Sequence, residues 1–154
     1  MPMNISELQP GSQLGITPWF KLEQQMFSAF EVLTKSNDPL HMDPDWVAKN
    51  TRFRSTIAPG FLVVSLLPYF QAQVMAERNG FYPLNYGFDK IRWIEPVPVN
   101  SRIRAEFVVQ EVSSRPDSGK LYKTQVTVEI EGVERPAMVA QWLGVIIPTR
   151  TSEQ

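Results

Sequence analysis

The chain has no cysteine and a single histidine in 154 residues. The first absence excludes a disulfide framework, a thiol nucleophile and a thiolate metal site, and it fits a reducing compartment such as the cytoplasm. The second leaves no HExxH pair and no Cys/His ligand spacing, and the scattered carboxylates follow no EF-hand order, so no bound metal is expected. Neither GxGxxG nor GxxxxGK[ST] is present to cradle a phosphate, and no GxSxG elbow presents a serine nucleophile. Charge of one sign is lacking too. The formal net charge is −1 with acids and bases interspersed, which gives no broad footprint for nucleic acid or an anionic membrane. The start, Met1-Pro2-Met3-Asn4-Ile5, has neither the basic nor the apolar region of a secretory signal. No apolar run reaches the roughly 20 residues that a membrane-spanning helix requires.

What is present suits a single domain over residues 1–154, large enough to bury a core without staples. Residues 1–12 are polar and punctuated by Pro and Gly, and read as an arm on the surface. A short strand follows at 13–17, ended by Pro18. In residues 23–34 the apolar Met26, Phe27, Phe30 and Leu33 fall at spacings of three and four, the mark of a helix with one face on a core. A turn over 35–39 closes it. Asp43 as N-cap and Pro44 at the first helical position then open another helix through Asn50.

The most apolar stretch begins at Gly60. Residues 60–79 read as one helix, bent at Pro68, ended by Asn79-Gly80 and apolar on every side from Phe61 to Phe70, so the rest of the chain must wrap it. After Tyr82 the period changes to two. Strands are expected at 85–94, around Ile103, Ala105, Phe107 and Val109, around Tyr122 to Ile130, and at 137–147, with turns at 115–119 and 131–132. The last strand is apolar on both faces except Gln141, as a central strand would be. Helices first and strands afterwards, with no βαβ rhythm, define an α+β domain whose antiparallel sheet curls over a helix.

Two segments carry chemistry-bearing residues. The first is Ser36-Asn37-Asp38-Pro39-Leu40-His41, where the imidazole of His41 can take up and release a proton and suits acid/base work, while Ser36 and Asp38 also serve as turn formers. The second is Pro59-Gly60-Phe61, where the first amides of a buried helix have no partner within it and a glycine admits a ligand oxygen.

At these segments the chain resembles the MaoC-like dehydratases, in which an Asp-x-Asn-Pro-x-His loop precedes an Ile-x-His-Gly helix start. Here the matching residues run from Ser36 to Ala48 and from Thr56 to Leu67. Asn85-Tyr-Gly-Phe-Asp-Lys-Ile-Arg-Trp93 and Pro96-Val-Pro-Val-Asn-Ser-Arg-Ile-Arg104 are similar to the branch typified by nodulation protein N. The resemblance implies a hot-dog fold, a curved antiparallel sheet around a long central helix, assembled as a homodimer. It also implies reversible addition of water to a trans-2-enoyl thioester of coenzyme A or acyl carrier protein, with coenzyme A entering as part of the substrate rather than as a cofactor. By position His41 matches the family histidine, and Gly60 the glycine whose amide holds the thioester oxygen.

Two departures leave alternatives open. Ser36 stands where the family has its aspartate, and Pro59 stands where it has a histidine. A serine is no carboxylate base. Either Asp38 and His41 form a shifted dyad, or the dyad is incomplete and the protein binds an acyl thioester without hydrating it. A hot-dog thioesterase is a further alternative, although such enzymes place an acid on the central helix and residues 60–76 contain no Asp or Glu. Arg92, Arg102 and Arg104 are candidates for the coenzyme's phosphates.

Overall fold

The computed structural model describes residues 7–75 and 80–150. The apolar stretch forms two consecutive helical segments instead of one bent helix, α4 (Gly60–Ser65) and α5 (Leu67–Val74). Leu66 between them keeps a right-handed helical backbone (φ −81°, ψ −12°). The break is local to Pro68, which has no N–H to return to the preceding turn. On either side Leu66 N–H donates to the Leu62 carbonyl and Phe70 N–H to that of Leu66, both at 3.0 Å. The run also stops earlier than expected. Met75 is already extended (φ −92°, ψ 145°), and the rest of the expected stop, residues 76–79, lies outside the described residues.

Leu62, Val63, Leu67 and Phe70 form the buried face of this helical pair, at spacings that follow its 3.6-residue turn. The expected all-round enclosure is corrected here. Phe61 is 69% exposed and Tyr69 48%, because the sheet covers one side only. On the open side the rings cover one another: Phe61 lies 5.5 Å from Trp93 and Tyr69 5.2 Å from Phe20, centroid to centroid.

The sheet has six strands among the described residues: β1 (Gln13–Ile16), β2 (Phe20–Lys21), β3 (Phe81–Trp93), β4 (Arg102–Ser114), β5 (Lys120–Ile130) and β6 (Met138–Pro148). Its order is β1-β4-β5-β6-β3, with β2 also on β4, and every pairing is antiparallel. Alternation sets the register. Ile103, Ala105 and Phe107 of β4 lie opposite Ile130, Val128 and Val126 of β5, all turned to the core, while Arg104 faces Glu129 on the other surface and pairs with it at 2.6 Å. β6 runs between β5 and β3 and has no exposed residue, which accounts for its two apolar faces. β3 starts four residues before the expected strand and lies at the sheet edge, with Tyr82, Leu84, Tyr86 and Trp93 exposed.

Three helices precede this unit: α1 (Gln24–Thr34), α2 (Pro39–Met42) and α3 (Pro44–Asn50). In α1 the expected core face is rotated. Phe27 is fully buried, but Leu33 is 80% exposed and Glu31 only 2%. Four residues from Phe27 is just over one turn, so Glu31 shares its face, whereas Leu33, six residues on, has swung away. The arm is corrected as well. In its described part Leu8 is buried against Val109, Tyr122 and Ile146, and Gly11 N–H donates to the Val109 carbonyl at 2.8 Å. Among the described residues no helix is long and apolar enough to cross a membrane.

Phe70 joins the helical pair to the strands from a fully buried position. Phe70→Ala is expected to cost about 3–5 kcal/mol of folding stability through lost burial and a residual cavity, read as a lower urea midpoint with the slope unchanged.

Candidate active site

The site begins where α1 ends. Lys35 takes a left-handed conformation (φ 60°), its N–H donates to the Val32 carbonyl, and Ser36 N–H donates back to that of Glu31 at 3.1 Å. This Schellman closure reverses the chain and sets Ser36 directly against the last buried turn of α1. Asn37 is left-handed too (φ 52°), and the chain then enters α2 through Asp38. Asp38 Oδ1 accepts from Leu40 N–H at 2.9 Å as the N-cap, with Pro39 next in line. The amide of Asp38 itself donates to Glu31 Oε2 at 2.9 Å. Asp43 caps α3 through Trp46 N–H, as its place before Pro44 suggests.

This frame orients His41. Its Nδ1 lies 2.7 Å from the Ile57 carbonyl oxygen. A carbonyl only accepts, so the ring hydrogen belongs on Nδ1, and in the neutral imidazole Nε2 keeps the lone pair. Gln24 secures the same loop from α1, donating from Nε2 to the His41 carbonyl at 2.7 Å while its Oε1 accepts from the buried Thr56 hydroxyl. Residues 56–58 are held in turn by the segment after β3: Ala58 N–H donates to the Val97 carbonyl at 2.8 Å and Val99 N–H to that of Thr56 at 2.9 Å. The histidine therefore sits on a rail anchored from both sides by backbone hydrogen bonds.

The rail leads into Pro59, the N-cap of α4, and Gly60. The Gly60 and Phe61 amides have no acceptor among the described residues, as expected for the first turn of a helix. Trp93 Nε1–H donates to the Gly60 carbonyl at 2.9 Å, and a Cβ on Gly60 would lie 2.8 Å from that nitrogen, so no larger residue fits without moving the indole.

His41 and Gly60 line two adjoining cavities. One, about 230 Å³, is walled by Ile57, Ala58, Val63, Trp93, Glu95 and Val97 among others. The other, about 460 Å³, also takes in Phe30, Glu31, Thr34, Ser36, Pro59 and Phe61. The structure thus brings His41, Ser36, Pro59, Gly60 and Phe61 together around one opening. Asp38 is placed differently: it lines neither cavity, and its Oδ1 is engaged as a cap. Arg102 and Arg104 are paired with Glu131 and Glu129 on the outer surface of the sheet. Among the described residues no group of three or more His, Cys, Asp or Glu side chains is arranged to hold a metal.

Gln24 and Glu31 belong to the site and were not singled out from the sequence. For Glu31 a signal existed, a carboxylate one turn from Phe27 on the apolar face of α1. Gln24 carried none.

An antiparallel sheet packed on a two-part helix, with a histidine loop lying over the first residues of that helix, places the molecule in the hot-dog class. The family described as MaoC like domain matches residues 6–132. Nodulation protein N of Rhizobium leguminosarum bv. viciae is 36% identical over 137 residues, covering 88% of this chain and 85% of the relative. The 3-hydroxyacyl-thioester dehydratase Z of Mycobacterium tuberculosis (strain ATCC 25618 / H37Rv) is 34% identical over 131 residues, 85% of this chain and 86% of that protein. Among solved structures, a monoamine oxidase regulatory protein from Archaeoglobus fulgius superposes with a TM-score of 0.82 at 22% identity, covering 97% of both chains. An (R)-hydratase from A. caviae gives 0.72 at 22% identity over 93% of this chain and 98% of its own. The chain belongs to the MaoC-like dehydratase family.

The cap at Asp38 gives a direct test of the frame. Asp38→Ala should lower stability by about 1 kcal/mol, the usual worth of an N-cap, measured by chemical denaturation. A change below a few tenths would show that the Leu40 contact does not hold the loop.

Proposed function

We propose that the protein adds water reversibly to trans-2-enoyl thioesters, giving 3-hydroxyacyl thioesters. Membership of a dehydratase family that includes 3-hydroxyacyl-thioester dehydratase Z supports hydration or dehydration of acyl thioesters. The observation that carries the reading to named atoms is the fixed tautomer of His41. With Nδ1 committed to the Ile57 carbonyl, Nε2 is the basic nitrogen of a residue that shares both cavities with Gly60, whose amide has no acceptor among the described residues.

In this reading the thioester oxygen accepts from the Gly60 N–H, which draws electrons from the C2–C3 double bond and makes C3 electrophilic. His41 Nε2 takes a proton from a water as its oxygen bonds to C3. The π pair passes to the enolate, whose charge rests on the thioester oxygen, and C2 then recovers the proton. Ser36 offers a hydroxyl on the same cavity, and Pro59 and Phe61 form its walls. Coenzyme A, or the prosthetic arm of acyl carrier protein, enters with the substrate and no separate cofactor takes part. The setting is cytoplasmic fatty-acid metabolism.

A second reading keeps the binding and drops the turnover. It is favoured by one observation: Asp38, the expected partner of His41, lies off the cavity with its Oδ1 used as a cap.

We also propose a homodimer. β3 pairs on one side only, with β6, and it exposes Tyr82, Leu84, Tyr86 and Trp93. An unpaired, aromatic edge of this kind invites a second chain. Light scattering at micromolar concentration should give twice the mass of the 17.6 kDa chain, and a monomer would overturn the assembly.

The activity is tested by following loss of the enoyl absorbance over several acyl chain lengths. His41→Ala should lower kcat by about 10²–10⁴-fold, the range for losing a general base. Saturable acyl-CoA binding in calorimetry without any turnover would establish the second reading instead.

A further inference from the structure

We infer that Glu31 is the second catalytic side chain of this site, holding the attacking water together with His41; the assignment rests on the hydration reading above. Glu31 is 2% exposed on the core-facing side of α1, where Phe27 one turn earlier is fully buried. A carboxylate at such a position is costly unless something repays its lost hydration. Its protein contacts do so only in part. Oε2 accepts from the Asp38 N–H at 2.9 Å, while Oε1 has no hydrogen bond among the described residues.

Nor is Oε1 sealed off. No buried side-chain oxygen or nitrogen among the described residues lacks a hydrogen-bond partner, so the little exposure Glu31 retains includes this atom. The residue lines the cavity of about 460 Å³ that also contains His41, Ser36 and Gly60, and it is the one Asp or Glu among the residues lining that cavity. Glu95, on the adjoining cavity, is a poorer candidate because its carboxylate is paired with Arg135 at 2.8 Å.

The placement follows from the turn. Ser36 N–H closes on the Glu31 carbonyl, so residues 31 and 36 adjoin although they are five apart in sequence. A glutamate on the last buried turn of α1 therefore delivers a carboxylate to the cavity wall at which Ser36 can offer only a hydroxyl. In the reaction one hydrogen of the water is accepted by the Glu31 carboxylate and the other by His41 Nε2. The second proton leaves for Nε2 as the oxygen bonds to C3, and passes from Nε2 to C2. Glu31 ends the cycle unprotonated, having fixed the direction of attack and faced the transient imidazolium with a negative charge.

The deciding variant is Glu31→Gln, which keeps a side-chain oxygen for the Asp38 amide. Hydration of enoyl-CoA should show kcat reduced about 10²–10⁴-fold, KM within about threefold and an unchanged thermal midpoint. A kcat within threefold of wild type overturns the assignment. If the glutamine variant fails to fold, Glu31→Asp and Glu31→Asn, matched in size, take its place, with the aspartate form expected at least tenfold faster and equal rates overturning it. Loss of activity in His41→Ala with full activity in Glu31→Gln removes this inference alone. Absence of wild-type turnover over all chain lengths removes the hydration reading and this assignment with it.

Discussion

The structure depends on covering one face of the α4–α5 pair. Leu62, Val63, Leu67 and Phe70 require a curved apolar surface, and the alternating positions of β4, β5 and β6 provide it. Side chains of the Phe70 class stabilise by about 2–3 kcal/mol each when buried, so the helix cannot leave the sheet without losing most of the net stability of a domain this size. Once the helix is seated, its first residue has a fixed address. Gly60 is pressed against Trp93 from the neighbouring edge strand, it lines the cavity, and its amide has no acceptor among the described residues.

Opposite that address the chain builds a clamp of backbone hydrogen bonds. The segment from Thr56 to Ala58 is held on one side by Val97 and Val99 and on the other by His41 and, through Thr56, by Gln24. The Thr56 and Ile57 carbonyls and the Ile57 and Ala58 amides are engaged, and with Nδ1 held by Ile57 the Nε2 of His41 is the ring nitrogen left for a ligand. The same Ile57 carbonyl thus fixes the tautomer and positions the ring. Loop flexibility is suppressed where proton transfer needs a defined distance.

Much of this was legible in the sequence. The period-two segments identified four long antiparallel strands, and the doubly apolar pattern of β6 placed it inside the sheet. Asp43-Pro44 marked the start of α3 correctly, whereas Asp38-Pro39, expected only to end a turn, caps and opens the short helix α2. What was not legible depended on tertiary context. An all-apolar helix says that burial is favourable, not from which side cover arrives, so exposed Phe61 and Tyr69 could not be told from buried Leu62 and Phe70. Leu33 falls three residues after Phe30 and so fits an apolar spacing, yet it lies six residues from the buried Phe27 and is turned away, whereas Glu31, four residues on, shares the buried face. Asp38 was one of two alternatives, the carboxylate of a shifted dyad with His41, but its Oδ1 caps its own helix and the residue lines neither cavity.

The loop between α1 and α2 shows why this arrangement persists at a cost. Two consecutive turns there use left-handed residues with side chains, Lys35 at φ 60° and Asn37 at φ 52°, where a glycine would relieve the backbone. A buried carboxylate closes the loop by accepting the Asp38 amide, although an apolar side chain at residue 31 would pack at less expense against the neighbouring core. Both features reduce stability by themselves. Together they bring residues 31, 36 and 41 to one cavity wall across two helix ends, a convergence that no single helix or turn provides. The strain is local and modest, and the sheet-covered helix beneath it is the rigid support that allows the loop to retain it.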